Sequence, residues 1–183
     1  MNREEALALV KENVSNKNLI KHMLAVEAIM KEIAEVKKQD VEKWALAGLL
    51  HDIDFEKCSS DYKDHGIISK EILKDKISDD VLRTIQAHAF DITGVIPETD
   101  MEKAIVAADA VSGLVIAAAL VIPSKKLADV KVKSIARRFK EKDFARNCSR
   151  ERMLYCEKIG INKEDFFELS LKALQKIADD LEL

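Results

Sequence analysis

Imidazole and carboxylate groups recur in one order along this chain: His22, the adjacent pair His51-Asp52, His65, His88 and then Asp109. The four histidines are all that the chain has. Both group types are ligands for first-row divalent metals. Each falls on a helical face that periodicity expects to be buried, and a buried polar group is costly unless it is paired or holds a metal. Asp109 makes a case of its own. Within AIVAADAVSGLVIAAALVI its carboxylate should be shielded from water, so it wants a metal or another cation. Six such groups in one small helical chain ask for a shared explanation.

Helices must position them. With 5 Gly, 2 Pro and helical periodicity nearly end to end, no sheet is expected and the fold class is all-α. Asn2 to Val14 reads as a short helix. A second, capped by Asn16 or Asn18, runs to about Lys37 and carries His22 on the stripe of Leu19, Met23, Val26, Met30 and Ile33. Asp40 caps a third through Leu50, ending at His51-Asp52. After a loop, Ile53 to Tyr62, a helix from about Asp64 to Asp75 carries His65, and Ser78 caps another to His88. A loop from Asp91 to Asp100 leads to an apolar helix from Met101, which places Val106, Asp109, Gly113 and Ile116 on one line. Pro123 and Ser124 end it, and three more helices are expected over Val130–Lys142, Ser149–Ile159 and Asn162–Leu181. The whole, 1–183, reads as a single-domain bundle, with a motif core over about 15–122 and a C-terminal helical layer over about 124–183.

Length and composition agree. The 183 residues, 48% hydrophobic and 34% charged, are those of a globular domain able to bury a core without disulfide staples. Three cysteines, Cys58, Cys148 and Cys156, with no CxxC pair, suggest reduced thiols and a cytoplasmic location. The N-terminal stretch is charged throughout and lacks the pattern of a signal peptide. Ala104–Ile122 is long and apolar, but a central Asp costs about 2.5–3.5 kcal/mol in a membrane span, so a buried helix is expected and no membrane partner. The net charge of −3 is uneven. Lys125 to Arg152 holds 11 Lys/Arg and 4 Asp/Glu, which is +7, leaving −10 elsewhere. A local basic stretch on an acidic chain argues against a nucleic-acid coat and suits a small anionic substrate.

The ordered set His22, His51-Asp52 and Asp109, the last within AADAVSG, resembles the HD-domain superfamily of metal-dependent phosphohydrolases. The resemblance covers about residues 15–122 and is closest to small bacterial HD proteins. DHGIISKEIL and TIQAHA match the additional histidines of the binuclear branches. The resemblance implies that His22, His51, Asp52 and Asp109 hold one divalent metal. It implies that His65 and His88 hold a second, with Asp52 bridging the two and orienting or partly deprotonating the attacking water. One or two ions are then expected, and this ligand chemistry suits Mn, Fe, Zn, Co or Ni. The implied reaction is hydrolysis of a phosphate ester or anhydride of a small molecule, a nucleotide being one candidate. A non-catalytic sensor of nucleotide or metal, and an HD-type di-iron oxygenase, would use the same residues.

The chain departs from the HDxGK pattern of binuclear phosphodiesterase relatives. It reads HDIDFEK, so Asp54 replaces the glycine and Lys57 lies two places late. Asp54 then reads either as an orienter of a ligand histidine or as a solvent-facing carboxylate. The GYP sequence of the cyclic-dinucleotide branch is absent, and cyclic-dinucleotide cleavage is not expected. Candidate substrate contacts are Lys57 and, in the basic stretch, Lys131, Arg138 and Lys142, which flank the packed stripe Val132, Ile135, Ala136 and Phe139. A charge run of this kind also reads as a solvated helix face.

Overall fold

The computed structural model describes residues 1–58 and 62–183, and the described residues contain helices and no strands. Helix α1 (Arg3–Asn13) begins with a capping box in which Asn2 and Glu5 satisfy each other's backbone N–H groups. Helix α2 (Lys17–Lys37) starts at Asn16, whose side chain accepts the N–H groups of Asn18 and Leu19. Helix α3 (Val41–Leu50) is capped by Asp40 and ends at His51. Helix α4 (Ile67–Leu73) is followed by α5 (Asp79–His88), the short α6 (Phe90–Thr93) and the long α7 (Asp100–Leu120). The C-terminal layer holds α8 (Val132–Lys140), α9 (Arg150–Met153), α10 (Lys163–Lys176) and α11 (Ala178–Leu181).

Helix α7 is the axis of the molecule, packed against α2, α3, α5, α8, α9 and α10. Its capping box joins Thr99 to Glu102, and Ile105, Val106, Val111, Leu114 and Val115 on it are fully buried. By length and composition α7 could cross a membrane, but 67% of its apolar window is buried inside the protein. Its composition is that of a helix surrounded on most sides by other helices. The core runs continuously from Ala6 and Val10 through Ile29, Met30 and Leu49 to Phe166, Phe167 and Leu174. It thus spans both sides of Pro123.

Two glycines set the geometry around the histidines. At Gly48 a Cβ would lie 2.9 Å from the Glu27 backbone, so only glycine lets α3 approach α2 this closely, one turn before His51. At Gly66 the backbone is left-handed, with φ +78°, and α4 begins directly after it. The helix expected over 64–75 is therefore shorter, and His65 precedes it rather than lying on its face. Among the described residues the expected loops each hold a helical piece, a 3₁₀ turn at Phe55–Lys57 and α6, while positions 59–61 of the first loop lie outside the described residues. The last expected helix is broken at Ile177, and the one before it continues from α9 as a 3₁₀ segment, Leu154–Ile159.

Candidate metal centre

The four imidazoles are oriented from behind. His51 Nδ1 lies 2.9 Å from the Gly48 carbonyl, and His88 Nδ1 faces the Ile85 carbonyl. A carbonyl only accepts, so both Nδ1 atoms carry the hydrogen. His65 Nδ1 lies 2.9 Å from Asp54 Oδ1, which fixes the same tautomer. At His22, Nδ1 sits 3.2 Å from the Ser112 hydroxyl, which donates to the Asp109 carbonyl at 2.8 Å. That hydroxyl is left to accept from Nδ1–H. In each neutral ring the lone pair is on Nε2, and all four Nε2 atoms point into one shared space.

Two groups of donors meet there. His22 Nε2 and His51 Nε2 are 3.1 Å apart, and Asp109 Oδ1 is 3.2 Å from the first and 3.9 Å from the second. Asp52 Oδ2 completes this group at 3.5 Å and 3.3 Å from the same two nitrogens. On the other side His65 Nε2 and His88 Nε2 are 2.8 Å apart, each 3.4 Å from Asp52 Oδ1. Asp52 thus offers one oxygen to each group. Ligand atoms held about 2.0–2.2 Å from a single ion stand about 3 Å from one another. Facing lone pairs at such separations repel unless a proton or a metal cation lies between them, and this set of imidazole and carboxylate donors fits a divalent metal.

The charges agree with that fit. Burial opposes ionisation of Asp52, but the neighbouring His51, His88 and His22 outweigh it and hold its pKa well below the usual carboxylate value. Burial opposes ionisation of Asp109 as well, yet the His22 hydrogen bond and charge keep its pKa low. Burial disfavours the imidazolium of His22, but Asp109 and Asp52 prevail and raise its pKa. Asp54 and Asp52 do the same for His65 against its burial. At His88 burial wins, helped by the charges of His51 and His65, and the pKa falls although Asp52 opposes the fall. Burial is not uniform. His51 is fully buried, whereas the side chains of His22 and Asp109 keep 25% and 27% of their surface exposed. The expectation that every one of these groups is enclosed is corrected here: both are part-exposed, His22 bordering a cleft with Phe55 and Tyr62, and Asp109 bordering a hollow with His65 and His88.

Asp54, fully buried, accepts from His65 Nδ1 and from the backbone N–H groups of Gly66 (2.7 Å) and Ser69 (2.9 Å). It caps the start of α4 from outside the helix and aims His65 in the same act. Of its two sequence readings, orienter and solvent-facing group, the first is the one observed. Ser112, buried beside His22, was unmarked in sequence because a serine within an apolar helix has no signature of its own.

The structure does not bring the four expected substrate contacts to the cluster. Lys57 turns to the Asn13 side chain. Lys131 and Lys142 are exposed, and Arg138 pairs with Glu141 at 2.6 Å and lies over the Phe144 ring. None of the four lines the three hollows that cluster residues border. The hydrophobic stripe of α8 faces the core, which turns its basic residues outward. Arg152 enters instead. It borders one hollow together with Asp52, His65, His88 and Asp109. It lies at the far end of the basic stretch, in a short helix whose position depends on tertiary contacts, and no local pattern separates it from its neighbours.

The profile described as HD domain matches residues 19–114, just over half of the chain. No curated protein and no solved structure gives a significant match. The chain belongs to the HD domain family, the superfamily of metal-dependent phosphohydrolases.

Proposed function

We propose that this protein is a metal-dependent phosphohydrolase acting on a phosphate ester or anhydride of a small molecule, with nucleotides among the candidate substrates. The observation that carries the proposal is the division of Asp52, whose two carboxylate oxygens face two different groups of imidazole donors. His22, His51, Asp109 and Asp52 would hold one divalent ion, and His65, His88 and Asp52 a second, drawn from Mn, Fe, Zn, Co or Ni. Such ions supply an activated water and charge neutralisation at phosphoryl oxygens. The chain's own part is orientation and proton handling. Asp52, kept anionic between the two groups, would orient the attacking water and draw on its proton. The Gly48, Ile85, Asp54 and Ser112 partners keep each ring from turning, so substrate meets a preorganised site. The part-exposed His22 and Asp109 leave the phosphate a way in. With Cys58, Cys148 and Cys156 all free, the chain suits the reducing cytoplasm.

The test is metal content per chain after Mn²⁺ loading and desalting, together with phosphate release from p-nitrophenyl phosphate and a panel of nucleoside phosphates. Wild type should retain about two ions and release phosphate, and Asp52→Ala should retain less than one and lose the release. Equal metal content in the two proteins would refute the site. Metal without release from any phosphorylated compound would favour the sensor. About one ion in wild type would move His65 and His88 to a substrate-facing role.

A further inference from the structure

The hollow that reaches both halves of the cluster is bordered by Asp52, His65, His88 and Asp109, and has a volume of about 170 Å³. Whole drug-sized ligands need roughly 300–1,000 Å³, so this space takes a functional group rather than a complete substrate. A wider cleft of about 550 Å³ adjoins it, lined by Asn16, Asn18, Phe55 and Tyr62, with Phe55 bordering both. The smaller hollow is lined by three carboxylates, Asp52, Asp91 and Asp109, and Arg152 is the only Lys or Arg among its described lining residues.

We propose that Arg152 is the anion anchor of this site: its guanidinium takes non-bridging oxygens of the substrate's phosphoryl group, with Asp91 as its partner until substrate arrives. The proposal rests on the phosphohydrolase reading above. Arg152 is held where an anchor must stand. Its Nη1 donates to the His88 carbonyl at 2.7 Å, which ties it to the backbone of a cluster histidine. Its guanidinium lies 4.7 Å from the centre of the Phe90 ring. Its Nη2 donates to Asp91, whose side chain is 63% exposed. An ion pair to so exposed a carboxylate contributes little, so it exchanges readily for a phosphate, while the His88 bond and the Phe90 contact keep the guanidinium in place.

The turn before it is built to hold this position. Arg150, two residues earlier, donates to the carbonyls of Phe139, Ala145, Cys148, Arg138, Glu141 and Phe144. It closes the end of α8 and the following loop, and α9 starts from that anchored loop.

The test uses full-length, Mn-loaded protein with inorganic phosphate as the probe, measured by calorimetric titration and by inhibition of hydrolysis. The variants are Arg152→Met, Arg152→Lys and Asp91→Asn, each with its metal content determined. Arg152→Met should keep its metal and bind phosphate about tenfold or more weakly, with Arg152→Lys in between. Asp91→Asn should bind phosphate several-fold more tightly, because the guanidinium is released from its competitor. A tie that is merely structural predicts the opposite pattern: both Arg152→Met and Asp91→Asn lower the melting temperature, and neither changes phosphate affinity. That result would overturn the anchor. If Arg152→Met fails to fold, Asp91→Asn decides, and unchanged or weaker phosphate binding in it refutes the proposal. If wild type holds Mn but binds no phosphate, the phosphohydrolase reading itself fails, which is distinct from the anchor failing alone.

Discussion

Asp54 stays out of the space where the imidazole lone pairs meet, yet it decides where His65 points. It receives three N–H donors and has no hydrogen to give, so an amide in its place would set an NH₂ group against one of them. Asp54→Asn should therefore weaken metal binding at the His65–His88 half by about 10–100-fold while leaving the His22–His51 half loaded. Metal titration followed by elemental analysis would show one ion lost; loss of both, or of neither, would contradict the division of roles. The titrating groups give a second expectation. His22 and His65 are raised above the usual imidazole value of 6.5 in the metal-free protein. Their contribution to its stability is complete below that value and is lost as pH rises through the raised pKa values. Asp52 and Asp109 are lowered, and theirs is present above 3.8 and lost as pH falls through the lowered values. A divalent ion competes with the protons on His22 and His65. The melting-temperature gain from Mn²⁺ should thus grow as pH rises from about 5.5 to 8. Melts with and without Mn²⁺ across that range provide the check, and a gain independent of pH would mean that no imidazole proton leaves on loading.

At the scale of elements, the contact between α2 and α3 matters most, because it brings His22 to His51. Gly48 permits it, and Gly48→Ala should cost about 1–3 kcal/mol by forcing the helices apart, with metal affinity falling as well. Thermal unfolding and metal titration of this variant should move together. Arg150→Ala should cost a similar amount, about 1–3 kcal/mol, by stripping backbone carbonyls of their donor, and it should leave Mn²⁺ content unchanged. These elements differ in how far the sequence exposes them. Helices α1 to α3 are legible because Asn2, Asn16 and Asp40 cap them in the chain itself and their apolar stripes are regular. The donor cluster is legible for a related reason: His22, His88 and Asp109 fall on helices among apolar neighbours and stand out against their surroundings. His65 is misplaced on a helix because the cap of α4 is Asp54, which comes from another part of the chain. Arg152 is invisible for the same reason, since what distinguishes it is the His88 carbonyl, 64 residues away in sequence.

For the whole molecule, the decisive feature is that the apolar core is continuous through both layers. Ile29, Met30, Val111 and Phe166 are fully buried among other apolar side chains, and α7 carries that core through both layers. Stripping metal with a chelator should accordingly lower the melting temperature while leaving the helical circular dichroism signal intact. At ion concentrations 100-fold above the dissociation constant the loss corresponds to about 2.7 kcal/mol per site. Collapse of helicity on chelation would show instead that the cluster organises the fold. The donors themselves lie in α2, at the end of α3, before α4, at the end of α5 and in α7, a span from residue 22 to residue 109. Ions shared among five stretches of chain would act like rivets: none of the stretches swings free until an ion departs. The lifetime of the loaded protein against a protease should then follow the dissociation rate of the metal more closely than the depth of the folding equilibrium, so that the centre proposed to perform the chemistry would also set how long the protein lasts.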